Sequence, residues 1–298
     1  MAGGYATQET VKRCLSVHVK NRLLRSRDST TSQDTGAGNL LAQWLWSTGM
    51  QRSLKFLSDH SLTHLMVKAL VADGRHDIIH AWLRADGDAQ RSIKSIHSPN
   101  WDRARLLLDL LKSEVIVGKG TQSAFNIFLG YVQETRDAHF RPRDRRMLLG
   151  LSGHYLMHHI CDEVKDRKVN VSLYNHLVAS ANEWSRDHSF ELAWLALYHP
   201  DHPDPDPTIS FLKRLSSETL GDLPQHRRLA TADVALQAAQ EFLQQERQSE
   251  AVWLMGILKE HFAELIGVEA QNARADERRD DAVPEWANLR LLDSLALG

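Results

Sequence analysis

Histidines are the first residues of this chain whose type and spacing suit chemistry. In the stretch "HYLMHHICDE", His154 and His158 lie one helical turn apart on the same face, and Cys161 follows about one turn later. Two such ligands on one helix can chelate zinc. The metalloproteases with that spacing place a Glu after the first His, whereas this chain has Tyr155 there. We therefore interpret these side chains as half-buried residues of a packed helix and predict no metal site.

A His-Asp pair, His76-Asp77, is the second candidate for catalysis. All-α metal-dependent phosphohydrolases use such a pair at their metal centre, and further histidines lie nearby at positions 60, 64 and 80. The pair also stands where a helix is predicted to begin, and the helix dipole favours an Asp there. The sequence has no phosphate-binding loop, no nucleophile elbow and no Asp-Asp-x-x-Asp cluster. A phosphohydrolase is a remote alternative, and we predict a protein that is not an enzyme and has no cofactor.

Arginines offer a third chemistry, the binding of phosphate groups. The stretch "RPRDRR" contains four of them, Arg141, Arg143, Arg145 and Arg146. Guanidinium groups contact phosphates in a fork geometry, so we predict that these side chains, together with Lys119, bind RNA. Additional basic residues are Lys12, Arg13, Lys20, Arg22, Arg25, Arg27 and Arg136. The alternative is that the arginines pair with neighbouring acids such as Asp137 and Asp144.

The charge of the chain is nearly balanced in total but unevenly divided. Residues 1–150 carry 22 Lys and Arg against 14 Asp and Glu, whereas residues 151–298 carry 14 against 24. The basic half can attract a polyanion such as RNA, and the acidic half would repel it. The alternative is two solvated surfaces of opposite sign.

The elements that must position these residues are helices. Apolar residues recur at three- and four-residue steps in segments such as "NWDRARLLLDLLKSEV" and "ATADVALQAAQEFLQQERQ", whereas sustained period-2 alternation and Asn-Gly turns are not found. No apolar run approaches the roughly 20 residues needed to span a bilayer. Two cysteines are too few for a disulfide scaffold. The sequence therefore predicts an all-α protein with no membrane span.

A local pattern recurs in three of the predicted helices. "IIHAWLRA" (78–85), "ELAWLALY" (191–198) and "EAVWLMGI" (250–257) each place a Trp-Leu pair in mid-helix, after another helix and a short polar break. Two helices with a large residue at a fixed place on the second are how stacked hairpin arrays bury their seams. The spacings between these successive tryptophans are 112 and 59 residues, so the period is irregular.

Further residues specify the kind of hairpin. "LYNHLVASANEWSRDHSFELAWLAL" opens with Tyr174-Asn175 and is followed by Pro203-Asp204, and a Gly-Arg turn occurs at Gly74-Arg75, with Phe125-Asn126 as a weaker opening. This stretch resembles a pentatricopeptide repeat, from the helical-hairpin family of organellar RNA-binding proteins. The match covers about one full unit and fragments of two or three others. The resemblance implies antiparallel helical hairpins stacked into an α-α superhelix.

The resemblance also implies base-contacting residues. In that family each unit reads one base with a polar residue after the Tyr-Asn pair and a second at the end of the unit. The corresponding residues here are His176 and Asp206. At the weaker opening the equivalent position is Ile127, whose side chain has no hydrogen-bonding group, so a modular base code is not expected.

The chain divides into three predicted parts. Residues 1–40 form a basic N-terminal segment that is targeting or flexible, or else a first scaffold helix. Residues 41–267 form the helical array, continuous or split near 140 or 200. Residues 268–298 form a charged linker and a capping helix that would dock through Trp286, Leu289, Leu292 and Leu295. Basic, acid-poor N-termini are typical of mitochondrial presequences, so mitochondria are the expected location and the cytoplasm is the alternative.

The function expected from the sequence is that of a non-catalytic binding scaffold. We predict an organellar RNA-associated factor that binds largely by charge and shape. The competing hypothesis is a protein–protein scaffold of the tetratricopeptide type, whose acidic half contacts a basic partner.

Overall fold

The computed structural model describes residues 8–25, 37–49, 55–85, 99–165, 170–186, 188–215, 220 and 222–264. Within these ranges the chain forms thirteen α-helices and one 3₁₀ turn and contains no strand, which confirms the all-α prediction. Among the same residues, no helix combines the length and the apolar character that crossing a membrane requires. The predicted linker and capping helix at 268–298 lie outside the described residues.

The helices are numbered in chain order. They are α1 (Gln8–Arg25), α2 (Ala37–Thr48), α3 (His60–Ala72), α4 (His76–Arg84), α5 (Pro99–Val117), α6 (Thr121–Asp137), α7 (Pro142–Lys165), α8 (Val171–Ala179), α9 (Ala181–Trp184), α10 (Ser189–Leu197), α11 (Asp206–Arg214), α12 (Gln225–Gln244) and α13 (Gln248–His261). The 3₁₀ turn, Lys55–Ser58, precedes α3.

Packing divides the chain into two compact units. The first comprises Met1–Leu195 with His199–Asp201, and the second comprises Ala196–Tyr198 with His202–Gly298. The sequence left open whether the array is continuous or split near 140 or 200, and the boundary between the two compact units lies near 200. Each unit is described by itself below.

In the first unit, α5 is the central helix. Its leucines at 106, 107, 110 and 111 are fully buried, and the helix packs against α3, α6 and α7. Helix α1 packs on α3 through the buried side chains of Leu15 and Val19. Its Lys12 forms an ion pair with Asp59 at the N-cap of α3, with Nζ and Oδ2 2.8 Å apart. The basic N-terminal segment therefore contains a helix that contributes to this core.

Three helices end in the same left-handed turn. Gly74, His139 and Glu246 have φ angles of 70°, 54° and 60°. In each case the N–H of the next residue donates to the carbonyl five residues earlier. These bonds are Arg75 to Leu70 (2.8 Å), Phe140 to Thr135 (3.3 Å) and Arg247 to Phe242 (2.8 Å). This pattern satisfies the free carbonyls of a helix end and reverses the chain. The turn recurs between α3 and α4, α6 and α7, and α12 and α13.

The Trp-Leu pairs do not occupy equivalent positions after this turn. Trp82 lies seven residues after Arg75 and is 5% exposed. Seven residues after Arg247 stands Leu254, which is fully buried, whereas Trp253 is half-buried. A shift of one residue rotates a side chain by about 100° around a helix. Counted from the turn, the Trp-Leu pair of α13 therefore stands one residue earlier than the Trp-Leu pair of α4, so the two hairpins are not equivalent repeats.

The stretch that resembles a repeat opening is broken into α8 and α9. At Ser180 the chain leaves the α8 geometry, and its hydroxyl donates to the carbonyl of Leu177 at 2.8 Å. A serine hydroxyl that bonds nearby backbone competes with helix continuation. The same oxygen accepts the indole N–H of Trp184 at 3.2 Å. The break thus directs Trp184 into the core of the first unit.

Trp184 approaches α7 so closely that only glycine fits beneath it. The side chain is 1% exposed, and a Cβ added to Gly153 would lie 2.4 Å from its Cδ2. A Cβ added to Gly150, one turn earlier, would lie 3.1 Å from the carbonyl oxygen of Trp184. Glycine in mid-helix lowers helix stability relative to alanine, but here it permits contact with the indole ring.

We expect Gly153→Ala to lower the free energy of unfolding by about 1–3 kcal/mol, because the added methyl group displaces the indole of Trp184. The matched control is Gly130→Ala in α6, where an added Cβ meets nothing within 4 Å. That change should stabilise by about 0.5–1 kcal/mol. Urea unfolding followed by circular dichroism measures both. Equal effects of the two substitutions would contradict the packing described.

Candidate nucleic-acid interface

The four predicted arginines stand together where α6 meets α7. Helix α6 ends at Asp137, and the left-handed turn at His139 leads to Pro142 at the start of α7. Proline suits the first turn of a helix because its missing N–H has no intrahelical partner there. This basic corner, residues 136–146, belongs to the first unit.

Glu183 of α9 binds two arginines of the corner. Its Oε1 accepts from Arg136 Nε at 2.8 Å, and its Oε2 accepts from Arg145 Nη1. Arg145 also donates to the carbonyl of Phe140 at 3.4 Å. The Glu183 side chain is only 14% exposed. One carboxylate therefore links the end of α6, the first turns of α7 and the short helix α9.

The other three arginines remain available for binding. Arg141 and Arg143 are exposed and Arg146 is half-buried. Within the described part of the chain, no ion pair or side-chain hydrogen bond involves any of the three. The neighbouring acids Asp137 and Asp144, named above as alternative partners, do not pair with these three arginines, and Asp137 instead accepts from Gln133 at 2.9 Å.

The position of these arginines runs against the helix dipole. The N-terminus of an α-helix carries a partial positive charge, so cations are disfavoured there and anions are favoured. Arg141 directly precedes α7 and Arg143 lies in its first turn, which also contains one acidic residue, Asp144. The guanidinium groups and the dipole consequently add to one positive potential that a phosphate would neutralise.

Lys119 does not belong to the same patch. It precedes α6, whereas the corner follows it, and this helix of 17 residues is about 25 Å long. The Lys119 side chain is exposed, and its backbone N–H donates to Glu114 Oε1 at 3.1 Å. The prediction that Lys119 acts together with the arginines would require a ligand as long as α6.

The two residues taken from the repeat resemblance lie in different units. His176 is exposed on α8 of the first unit, with its Nδ1 2.7 Å from the Ser172 carbonyl oxygen. Asp206 begins α11 in the second unit, where its two oxygens accept from Arg247 at 2.8 and 3.1 Å. A bidentate ion pair therefore holds the Asp206 carboxylate. This structural role explains the residue without any contact to an RNA base.

Histidines join helices throughout the first unit. Each of five contacts connects two different helices, and the pairs are His64–Asp109 (3.0 Å), His76–Glu114 (2.7 Å), His80–Tyr131 (2.6 Å), His154–Glu191 (3.0 Å) and His159–Thr121 (3.1 Å). Within the described ranges, no three His, Cys, Asp or Glu side chains are grouped as metal ligands. Five of the histidines that the structure describes thus act as polar links between helices.

The candidate catalytic residues bind separate partners. The Nε1 of Trp194 donates to the buried Cys161 at 3.1 Å, and the exposed His158 lies edge-on to the same indole. Arg75 holds the Asp77 carboxylate through bonds of 3.0 and 3.1 Å, which lowers the pKa of Asp77. His76 contacts Glu114 instead, so the side chains of the His-Asp pair have different partners.

Glu114 is a buried carboxylate that sequence reasoning did not single out. Its side chain is fully buried at the end of α5. Burial acts to raise the pKa of this carboxyl, but hydrogen bonds from Ser123, His76 and the backbone N–H of Lys119 outweigh it and hold the pKa below the ordinary value. Gly118 makes room for it, since a Cβ there would lie 2.4 Å from Oε2. Glu114 thus joins α4, α5 and the start of α6.

No protein-family model, no curated protein and no solved structure matches this chain. Its function is therefore inferred from its own residues.

We expect Glu114→Gln to lower the free energy of unfolding at pH 7 by about 1.5–3 kcal/mol, because hydrogen bonds to a charged acceptor are lost. The pKa of Glu114 is lower in the folded state than its ordinary value of 4.5, so the carboxylate stabilises the fold above pH 4.5. That contribution disappears as the pH falls through the folded-state pKa. In urea unfolding, the difference between wild type and variant should therefore be complete at pH 7 and should shrink as the pH falls below 4.5 towards the folded-state pKa.

The matched control is Glu134→Gln, which removes an exposed carboxylate bound to Arg84 at 2.8 and 3.0 Å. Exposed ion pairs contribute only about 0–1 kcal/mol. A control effect as large as that of Glu114→Gln, or a Glu114 effect independent of pH, would contradict the role given to the buried carboxylate.

Proposed function

We propose that this protein is a non-catalytic scaffold of helical hairpins, stacked as an α-α superhelix, that associates with RNA by charge and shape. The observation that carries the proposal is the basic corner, where Arg141, Arg143 and Arg146 have no acidic partner among the described residues. The hairpins α3–α4, α6–α7 and α12–α13, each closed by a left-handed turn, are the elements that such a scaffold would stack.

The corner suits a polyanion because two of its arginines are fixed and three are available. Glu183 neutralises part of the charge of Arg136 and Arg145 and anchors the turn between α6 and α7. Arg141 and Arg143 lie at the N-terminus of α7, where a cation costs about 0.3–1 kcal/mol. A phosphate bound at this place would offset that cost, and guanidinium groups can contact it in fork geometry.

Localisation in mitochondria is part of the same proposal. Helix α1 is basic on its exposed side, with Arg13 and Lys20 facing solvent. It also packs on α3 through Leu15 and Val19, so α1 would have to act as a targeting signal before the first unit folds and remain in the protein afterwards. Import into isolated mitochondria without shortening of the chain would support this account, and loss of α1 on import would contradict it.

The tetratricopeptide-type alternative, a scaffold for proteins, is favoured by one observation. Residues 151–298 carry a surplus of acidic side chains, 24 Asp and Glu against 14 Lys and Arg, which suits a basic protein partner. The salt dependence of RNA binding distinguishes the two functions.

The test is a titration of single-stranded RNA against the protein at several salt concentrations. We expect Arg141→Ala with Arg143→Ala to reduce the slope of log affinity against log salt by up to about 1.4, because each lost contact to a single strand removes about 0.7. The matched control is Arg214→Ala with Lys259→Ala, which removes two exposed charges from the second unit.

The control should leave the slope within the error of wild type. Equal losses in both variants would mean that general charge, and not the corner, attracts RNA. No binding of wild type at low salt would contradict RNA association and favour the protein scaffold.

A further inference from the structure

His139 presents an exposed ring within the basic corner. It stands in the left-handed turn between α6 and α7, two residues before Arg141 and four before Arg143. The side chains of all three residues are exposed. Two residues of extended chain span at most about 7 Å, so the imidazole lies within reach of a ligand that Arg141 binds.

The turn holds this imidazole in a fixed place. The backbone N–H groups of Ala138, His139 and Phe140 donate to carbonyls of α6 at 2.9, 3.1 and 3.3 Å. The ring Nδ1 lies 2.7 Å from the carbonyl oxygen of Asp137. Because a carbonyl oxygen only accepts, Nδ1 carries a hydrogen and donates it, which fixes the orientation of the side chain. A ring that is already held loses little conformational entropy when a ligand binds.

The first unit does not use this ring to join its helices. The five histidines described above each connect one helix to another. Among the described residues, the imidazole of His139 makes its only hydrogen bond with the backbone of its own turn. The turn does not require a histidine either. Its φ of 54° is a conformation that glycine adopts with less strain, and the equivalent turn after α3 contains Gly74.

Exposed planar rings beside phosphate-binding cations are the elements with which proteins hold unpaired nucleotides. Every base has a flat face that can stack on an aromatic side chain, histidine included, while basic side chains follow the backbone. In duplex RNA the bases stack on each other, and the surface consists largely of phosphates and 2′-hydroxyls. An exposed ring can therefore stack on a base only where the RNA is unpaired, in a single strand, a loop or a bulge.

We propose that His139 stacks on an unpaired base of the RNA whose phosphates contact Arg141 and Arg143. This inference rests on the proposed function and specifies its ligand as single-stranded RNA. The stacking contact does not depend on charge. The two arginines then determine the salt dependence of binding, and His139 determines the preference for unpaired nucleotides.

The test compares His139→Gly with Glu246→Gly in the full-length protein. Both residues have positive φ in equivalent turns, with angles of 54° and 60°, so the backbone at each position accepts glycine without strain. Glu246 is exposed in the second unit, outside the basic corner. We expect His139→Gly to weaken binding of a single-stranded oligoadenylate about fivefold or more, because one stacked base is lost. Glu246→Gly should bind about as tightly as wild type.

Further measurements separate stacking from charge. Polyphosphate carries a repeating negative charge and no bases, and an RNA duplex has no unpaired bases within it. His139→Gly should therefore leave the affinity for both unchanged, and it should also leave the salt slope for the oligoadenylate unchanged. His139→Tyr keeps an aromatic ring and should retain the affinity for the oligoadenylate.

The outcomes distinguish this inference from the proposed function. If His139→Gly binds the oligoadenylate as wild type does, or loses polyphosphate affinity to the same extent, stacking is overturned and the role of Arg141 and Arg143 stands. An equal loss in Glu246→Gly would overturn it as well. No binding of the oligoadenylate by wild type at low salt would contradict the proposed function and the inference together.

Discussion

Helix α6 is held at each end by one carboxylate, and the arrangement of the basic corner depends on this. Glu114 accepts from the backbone N–H of Lys119 just before α6 and from His76 of α4. Glu183 accepts from Arg136 in the last turn of α6 and from Arg145 of α7. Carboxylates are favoured at a helix N-terminus and cations at its C-terminus, so both contacts agree with the α6 dipole.

The helix dipole and the position of acidic partners also divide the arginines of the basic corner into two groups. Arg136 and Arg145 reach an acid from another helix, and their charge serves to fix the corner. Arg141 and Arg143 stand at the opposite kind of helix end, where a cation is unfavourable. This placement is unfavourable for stability, and a bound anion would offset it.

The sequence predicted features that arise locally. The all-α class follows from apolar periodicity, and the turn at Gly74 follows from a residue that adopts positive φ without strain. The equivalent turns at His139 and Glu246 have no glycine, so composition alone does not mark them. The break at Ser180 depends on one hydroxyl that bonds both backbone and indole, which periodicity also does not reveal.

Long-range contacts account for the rest. The sequence offers neighbouring Asp137 and Asp144 as alternative partners for the arginines, but the acid that binds Arg145 is 38 residues away in α9. Likewise, Glu114 is 38 residues from His76, and no spacing rule connects them. Which arginines are free to bind therefore follows from the packing of α6, α7 and α9 together and not from the motif "RPRDRR".

The most direct measurement of RNA association is ultraviolet crosslinking of the protein to RNA in cells, followed by mass-spectrometric mapping of the nucleotide-bearing peptides. The account predicts adducts in the peptides that contain residues 141–146. Adducts confined to other parts of the chain, or no crosslinked RNA, would contradict the assignment of the basic corner as the RNA-binding surface.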